Sequence, residues 1–124
     1  MKDFKKYYII HATPPEIYMA LTNPFTIRLW TSEEAEMSTV PGSEFSIMGG
    51  NIVGKNLEFI ENKKIVQEWY FGAEEAASIV TIKLHQDKEG SSVELVHTNI
   101  PDEAYDEITR GWDDIYFGSL QEYF

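Results

Sequence analysis

His97 is the residue best placed for chemistry in this sequence. Together with Val93 and Leu95 it alternates with more polar positions, so its side chain is predicted to share one face of a strand with apolar residues. A neutral imidazole on such a face can donate a hydrogen bond to a ligand or transfer a proton. The alternative is a core histidine bonded to backbone or water, and it is favoured because the sequence identifies no partner for His97.

No metal or cofactor motif accompanies this histidine. The three histidines share no ligand spacing, and HExxH, GxSxG, P-loop and dinucleotide motifs are absent. Glu103 and Glu107 lie one turn apart, but they are more simply the solvated first turn of a helix. The histidines at predicted strand ends, His11 and His85, are expected to face solvent. We therefore expect no catalytic residue, no metal and no cofactor.

Aromatic residues make up 14% of the chain and form the second group of candidates. They indicate either a plain core or the wall of an apolar pocket that carries a few polar anchors. The candidate anchors are Gln67, His97 and Tyr116. The full predicted ligand-binding set is Trp30, Phe45, Phe59, Gln67, Trp69, Phe71, Leu95, His97, Trp112 and Tyr116.

Charge and composition narrow the classes of partner. The 124 residues include ten basic and 21 acidic side chains, and the formal net charge of -11 disfavours nucleic acid and anionic membranes. Because cysteine is absent, disulfides and cysteine-type zinc sites are excluded. The apolar run from Tyr7 to Ile10 is too short for a signal peptide, and no segment approaches a membrane span. We expect a single cytoplasmic domain over residues 1–124, of unspecified oligomeric state, that binds neither nucleic acid nor membrane.

The amino-terminal third predicts one strand followed by two short helices. The segment from Phe4 to His11 is β-branched and aromatic, and Pro14-Pro15 cannot continue a ladder. Thr13 can cap the first helix, and Asn23-Pro24 separates it from the second. From residue 32 onwards, turn-type stretches separate about six strand-length segments of an antiparallel meander. These turns are Pro41-Gly42, Gly49-Gly50, Glu61-Asn62, Gly72 and Glu89-Gly90.

A long helix is predicted from about Asp102 to the end of the chain. Its apolar stripe, spaced mostly by three and four, is Tyr105, Ile108, Trp112, Ile115, Tyr116, Leu120 and Tyr123. Gly111 and Gly118 interrupt this helix and lie on nearly one face. We expect them to allow a strand or the short helices to approach closely, the alternative being tolerated surface glycines. These elements can bury one another only if a curved sheet wraps around the last helix.

Four stretches carry a resemblance to a known family: "ATPPEIYMALTNPFTIRLW", "VPGSEFSIMGGNIVGKNLEFIENKKIVQEW", "VELVHTNIP" and "GWDDIYFGSL". Their order and spacing resemble the activator of heat-shock protein 90 ATPase homologue-like family of the START-like superfamily. The resemblance implies an α+β helix-grip fold, a curved antiparallel sheet around a long C-terminal helix with a cavity between them. The sequence departs from the family at Glu61 and Asn62, where prolines are usual, and at Gln67, where an apolar residue is common.

The leading expectation for function is a non-catalytic domain that binds a small apolar or aromatic molecule. The predicted site lies between Trp69, Phe71 and His97 on the sheet and the helical pair Trp112 and Tyr116. A bulkier residue at Leu95 is expected to block it. Two alternatives are an enzyme of the START-like cyclase, dehydratase or hydrolase type, and a co-chaperone-like domain that binds another protein.

Overall fold

The computed structural model describes residues 1–71 and 77–124. A six-stranded antiparallel sheet curves around a C-terminal helix, and two short helices follow the first strand. The strands are β1 (Lys2–Ile10), β2 (Glu44–Ile47), β3 (Ile52–Ile60), β4 (Lys64–Trp69), β5 (Ser78–Asp87) and β6 (Gly90–Ile100). The α-helices are α1 (Pro14–Thr22), α2 (Pro24–Thr31), α3 (Tyr105–Gly111) and α4 (Phe117–Tyr123). None of the helices in these two stretches is long and apolar enough to cross a membrane.

The strands lie in the order β1-β6-β5-β4-β3-β2, which confirms the predicted meander and helix-grip fold. Within residues 1–71 and 77–124, five strands follow the two short helices, one fewer than the approximate count predicted from the turns. The turn between β3 and β4 centres on Asn62, whose φ is 62°, and the turn between β5 and β6 ends at Gly90. The predicted turn at Gly72 lies outside the described residues.

The two short helices form where the sequence supplies caps. The Thr13 hydroxyl accepts a hydrogen bond from the Glu16 backbone at 3.4 Å, and the Glu16 carboxylate accepts one from the Thr13 backbone at 3.0 Å. Asn23 ends α1 and caps α2, since its side-chain oxygen accepts from the backbone of Phe25 at 2.9 Å and of Thr26 at 3.2 Å. The predicted cap at Thr13 and break at Asn23-Pro24 are therefore confirmed.

The core lies between the concave face of the sheet, the two short helices and the C-terminal helix. Trp30 joins these layers: its indole nitrogen donates to the Ala20 carbonyl at 2.7 Å, and its ring meets Tyr116 edge to face at 5.2 Å. The sheet contributes fully buried side chains that include Ile82, Val93 and Leu95. Burial of this apolar surface is the main term that holds the layers together.

The C-terminal helix is not the uniform α-helix predicted from its apolar stripe. A short 3-10 turn (Asp102–Ala104) precedes α3, and five residues of π-helix, Trp112–Tyr116, join α3 to α4. The wider π turn rotates the last part of the helix relative to ideal α spacing. Consequently the predicted stripe is wrong at Ile115 and Tyr123, which are 56% and 43% exposed, while Phe117 is fully buried.

Candidate functional site

A cleft of about 510 Å³ opens between the C-terminal helix and the sheet. We call it the helix–sheet cleft. Its lining residues are Glu33, Met48, Asn51, Ile52, Trp69, Glu107, Ile108, Gly111, Trp112, Ile115 and Tyr116. Its size falls within the range of pockets that hold small molecules, and most of its lining is apolar.

Three aromatic rings form the inner wall of the helix–sheet cleft. Trp69 of β4 and Trp112 of the π segment stack with centroids 4.7 Å apart, and Tyr116 lies 4.6 Å from Trp112. All three residues are at least 94% buried, so their positions are fixed by packing. Because the two indoles touch, a ligand would lie against the ring cluster and not between the helix and sheet indoles.

The π segment sets the direction of the helical part of this wall. Each residue of an α-helix advances 100°, whereas a π turn takes in one more residue and brings Trp112 and Tyr116 to the cleft while Phe117 turns into the core. Phe117 stacks on Tyr8 of β1 at 4.3 Å. Asp113 within the segment binds β1 as well, since its carboxylate accepts from Lys6 and from the Tyr8 hydroxyl, both at 2.7 Å.

Neither helical glycine has the role predicted from sequence. A Cβ on Gly118 would lie 2.7 Å from the backbone oxygen of Asp113, so the close approach is made by the helix's own π turn and not by a strand or a short helix. A Cβ on Gly111 would meet nothing within 4 Å. Gly118 therefore permits the π segment, and Gly111 leaves space at the helix–sheet cleft.

His97 lies at the centre of a closed hydrogen-bond chain. The Trp112 indole N–H donates to His97 Nδ1 at 3.0 Å, which assigns the imidazole proton to Nε2. That Nε2 lies 2.8 Å from the Ser78 hydroxyl, which donates in turn to the Thr98 carbonyl at 3.2 Å. Burial lowers the pKa of His97 from 6.5 to about 4. His97 is thus a neutral, fully buried core histidine, but its partners are the side chains of Trp112 and Ser78 and not the backbone or water of the favoured interpretation.

Gln67 is held in a second chain of the same kind. Its side-chain oxygen accepts from the Trp69 indole N–H at 3.1 Å, and its amide donates to Asn56 at 3.0 Å. Asn56 donates onward to the Ser38 carbonyl at 3.1 Å and the Ser43 hydroxyl at 3.2 Å. The two chains end on the stacked indoles of Trp69 and Trp112, so buried polar groups orient the rings of the cleft wall.

The predicted ligand-binding residues divide into two groups. Trp69, Trp112 and Tyr116 line the helix–sheet cleft. The others do not: they pack in the core or against its edge, and they are Trp30, Phe45, Phe59, Gln67, Phe71, Leu95 and His97. Since Leu95 is fully buried away from the cleft, a bulkier residue there would overpack the core and would not block the site as predicted.

Sequence reasoning missed most of the other lining residues. Met48 and Asn51 belong to the turn between β2 and β3, where Met48 adopts a positive φ of 54°, and Ile52 is the first residue of β3. Glu33 follows α2, and an ideal Cβ on Gly49 would lie 3.5 Å from its carboxylate. Of these lining residues, only those on the C-terminal helix could have been predicted from sequence, because Ile108 lies one turn before Trp112 on the same helical face.

The chemical capacity of the cleft is small. Burial raises the pKa of Tyr116 above its ordinary value, so its hydroxyl is a neutral donor and acceptor at neutral pH. The hydroxyl makes no hydrogen bond within residues 1–71 and 77–124. Glu33 and Glu107 are exposed at the cleft, and no group of three potential metal ligands occurs in the part of the chain that the structure describes.

A curved antiparallel sheet around a C-terminal helix, with a cleft between them, defines a helix-grip domain of the START-like superfamily. Residues 11–124 match the family described as "Activator of Hsp90 ATPase homolog 1-like protein". The chain therefore belongs to this family.

Individual relatives are consistent with the family assignment. An activator of 90 kDa heat shock protein ATPase homolog from Dictyostelium discoideum is 31% identical over 103 residues, covering 81% of this chain and 27% of that protein. An uncharacterised protein of Schizosaccharomyces pombe is 26% identical over 124 residues, covering 98% of this chain and 34% of that protein. This chain thus spans about a third of the length of these curated relatives.

Solved structures share the fold at lower sequence identity. An HSP90 activator from Plasmodium falciparum superposes with a TM-score of 0.86 at 23% identity, covering 95% of this chain and 92% of that one. The Aha1 dimer from Colwellia psychrerythraea gives a TM-score of 0.84 at 21% identity, covering 98% and 95%. At these identities the likeness shows the fold alone.

Proposed function

We propose that the protein binds a small apolar or aromatic molecule in the helix–sheet cleft without converting it. The observation that carries this proposal is an accessible cleft of about 510 Å³ whose inner wall is a fixed cluster of Trp69, Trp112 and Tyr116. A planar ligand would gain ring contacts and apolar burial there. The Tyr116 hydroxyl would serve as a polar anchor.

The polar side chains near this wall are the reason to propose binding without conversion of the ligand. Catalysis would need a group free to move a proton, yet His97 and Gln67 already hold protein partners. Their hydrogen bonds orient the two indoles and leave neither side chain in contact with the cleft. An enzyme of the cyclase or hydrolase type is therefore the weaker hypothesis.

Filling the helix–sheet cleft at Gly111 should abolish binding. The wild-type protein should enhance the emission of the neutral probe N-phenyl-1-naphthylamine and should melt at higher temperature when the probe is present. Gly111→Phe places a ring in the cleft, where a Cβ meets nothing within 4 Å, so the fold should tolerate it. Both effects should be lost in that variant.

Gly111→Ala is the matched control. It adds only a methyl group, so it should keep probe binding while stabilising the helix by roughly 0.5–1 kcal/mol. Unchanged probe binding in a folded Gly111→Phe protein would place the site elsewhere. If the wild type bound no member of an apolar ligand set, the ring cluster would be only a core.

A co-chaperone role is the second candidate. It is supported by the family match and by relatives described as HSP90 activators, and by an exposed apolar surface on α2. Phe25 and Leu29 lie one turn apart there and are 72% and 65% exposed. Exposed apolar side chains of this size are often buried in protein interfaces.

The co-chaperone candidate predicts that the protein accelerates ATP hydrolysis by HSP90. The double variant Phe25→Ala/Leu29→Ala should weaken that effect about tenfold or more, since truncation of a hot-spot residue at an interface costs about 2 kcal/mol or more. Gly111→Phe is the control for a contact outside the cleft and should retain the effect. An unchanged ATPase rate with the wild-type protein would remove this candidate.

A further inference from the structure

The charged side chains of the helix–sheet cleft are both acidic. Among its lining residues, Glu33 and Glu107 are the only ones that carry charge. They approach from different elements, Glu33 from the segment after α2 and Glu107 from α3. Within residues 1–71 and 77–124 neither carboxylate forms an ion pair with a basic group. The cleft therefore carries two negative charges that no described side chain neutralises.

The aromatic inner wall also favours a positively charged ligand. Indole and phenol faces attract cations, and the contact is stronger where water is partly excluded. Trp69 and Tyr116 line the same cleft as the two carboxylates, whereas the ring of Trp112 is already stacked on Trp69 and Phe117. Tyr116 is also a buried polar side chain, 5% exposed, whose hydroxyl lacks a hydrogen-bond partner in the described part of the chain. Its oxygen can accept a hydrogen bond from an ammonium group.

Electrostatics over the whole chain acts in the same direction. A formal net charge of -11 raises the local concentration of cations and lowers that of anions. A carboxylate or phosphate ligand would face Glu33 and Glu107 without a compensating cation from the lining residues. A neutral ligand would gain the apolar contacts but would leave both carboxylates unpaired.

We propose that the helix–sheet cleft selects organic cations, in particular aromatic amines whose ring lies on the indole and phenol wall while the ammonium group faces Glu33 and Glu107. This inference rests on the proposed ligand-binding function and specifies its ligand class. The cleft volume of about 510 Å³ accommodates a molecule of one or two fused rings with a short amine side chain.

Three indoles that differ in charge test the selectivity. Tryptamine is a cation at pH 7, indole-3-ethanol is neutral and indole-3-acetate is an anion. Calorimetric titration at low salt should give a dissociation constant for tryptamine roughly 2- to 30-fold below that for indole-3-ethanol, the range expected from charge contacts with two exposed carboxylates. Indole-3-acetate should bind more weakly than both. The preference for tryptamine should shrink as salt is added.

The double variant Glu33→Gln/Glu107→Gln should remove most of this preference, so that the ratio of the dissociation constants for indole-3-ethanol and tryptamine approaches one. Its matched control is Glu44→Gln/Glu122→Gln, which removes the same net charge from exposed positions outside the cleft and should keep the preference. Equal affinities for tryptamine and indole-3-ethanol in the wild type would overturn the proposed cation selectivity and leave the ligand-binding function standing. If none of the three indoles nor the neutral probe bound, the ligand-binding function itself would fail.

Discussion

Replacing Trp112 by alanine should lower the free energy of unfolding by about 3–5 kcal/mol. The side chain is 1% exposed and stacks on Trp69 at 4.7 Å and on Phe117 at 5.6 Å. Its removal would leave a cavity at the junction of helix and sheet, and His97 Nδ1 would lose its hydrogen-bond donor. Urea unfolding followed by circular dichroism would measure the loss.

Trp112→Phe separates the two contributions. It retains a stacked ring but removes the indole N–H that donates to His97, so it should cost about 1–3 kcal/mol, the range for a buried acceptor left without a donor. A loss below about 1 kcal/mol for Trp112→Ala would mean that the ring does not hold the helix against the sheet.

The position of Trp112 was predictable because it depends on a local pattern. Trp112, Tyr116 and Leu120 repeat every four residues, and all three are buried against the sheet. The π segment was not predictable from that pattern. A helical turn that takes in one additional residue uses the same residue types as an ordinary α-helical turn, so the sequence does not distinguish the two. It depends on Gly118, whose missing side chain allows the Asp113 carbonyl to approach, and on the burial of Phe117 against Tyr8. Such contacts between distant elements carry no local signature.

The candidate site also shows which features the sequence could predict and which it could not. The sequence identified Trp69, Trp112 and Tyr116 because the spacing of apolar residues along a strand or helix predicts which large aromatic side chains face inward. It also selected Gln67 and His97 as anchors, yet their hydrogen-bond partners come from other strands and from the helix. Whether a buried polar side chain faces a ligand or another residue depends on those partners. That information lies in the register of the sheet.

The pairing of residues across the strands explains why the hydrogen-bond partners of Gln67 and His97 could not be predicted from sequence. Gln67 lies opposite Asn56 in the β3–β4 ladder, and His97 lies opposite Val80 in the β5–β6 ladder, near Ser78. A shift of one residue in either ladder would turn the side chains to the other face and break the hydrogen-bond chain that crosses that ladder. The overall fold follows from turns, caps and alternation, whereas these chains require the register to be known.

Acid should destabilise the protein through His97 by roughly 3 kcal/mol, because its pKa falls from 6.5 to about 4 on folding. Burial is the cause of the shift, and the geometry adds a reason, since a proton on Nδ1 would face the Trp112 N–H that Nδ1 now accepts. Between these two pH values the unfolded chain binds a proton that the folded chain does not. This contribution to stability is therefore complete above about pH 6.5 and declines as the pH falls to about 4.

A comparison with His97→Gln isolates this contribution from that of the carboxylates, which are common to both proteins. Glutamine cannot titrate, and its amide can still donate or accept within the buried chain. The variant should be less stable at pH 7, where the wild-type hydrogen bonds are intact. Between pH 6.5 and 4 the wild type should lose stability faster, by up to about 1.4 kcal/mol per pH unit, so the gap between the two proteins should narrow. Urea unfolding at half-unit intervals measures both curves, and parallel curves over this range would show that His97 gains its proton equally in the folded and unfolded states.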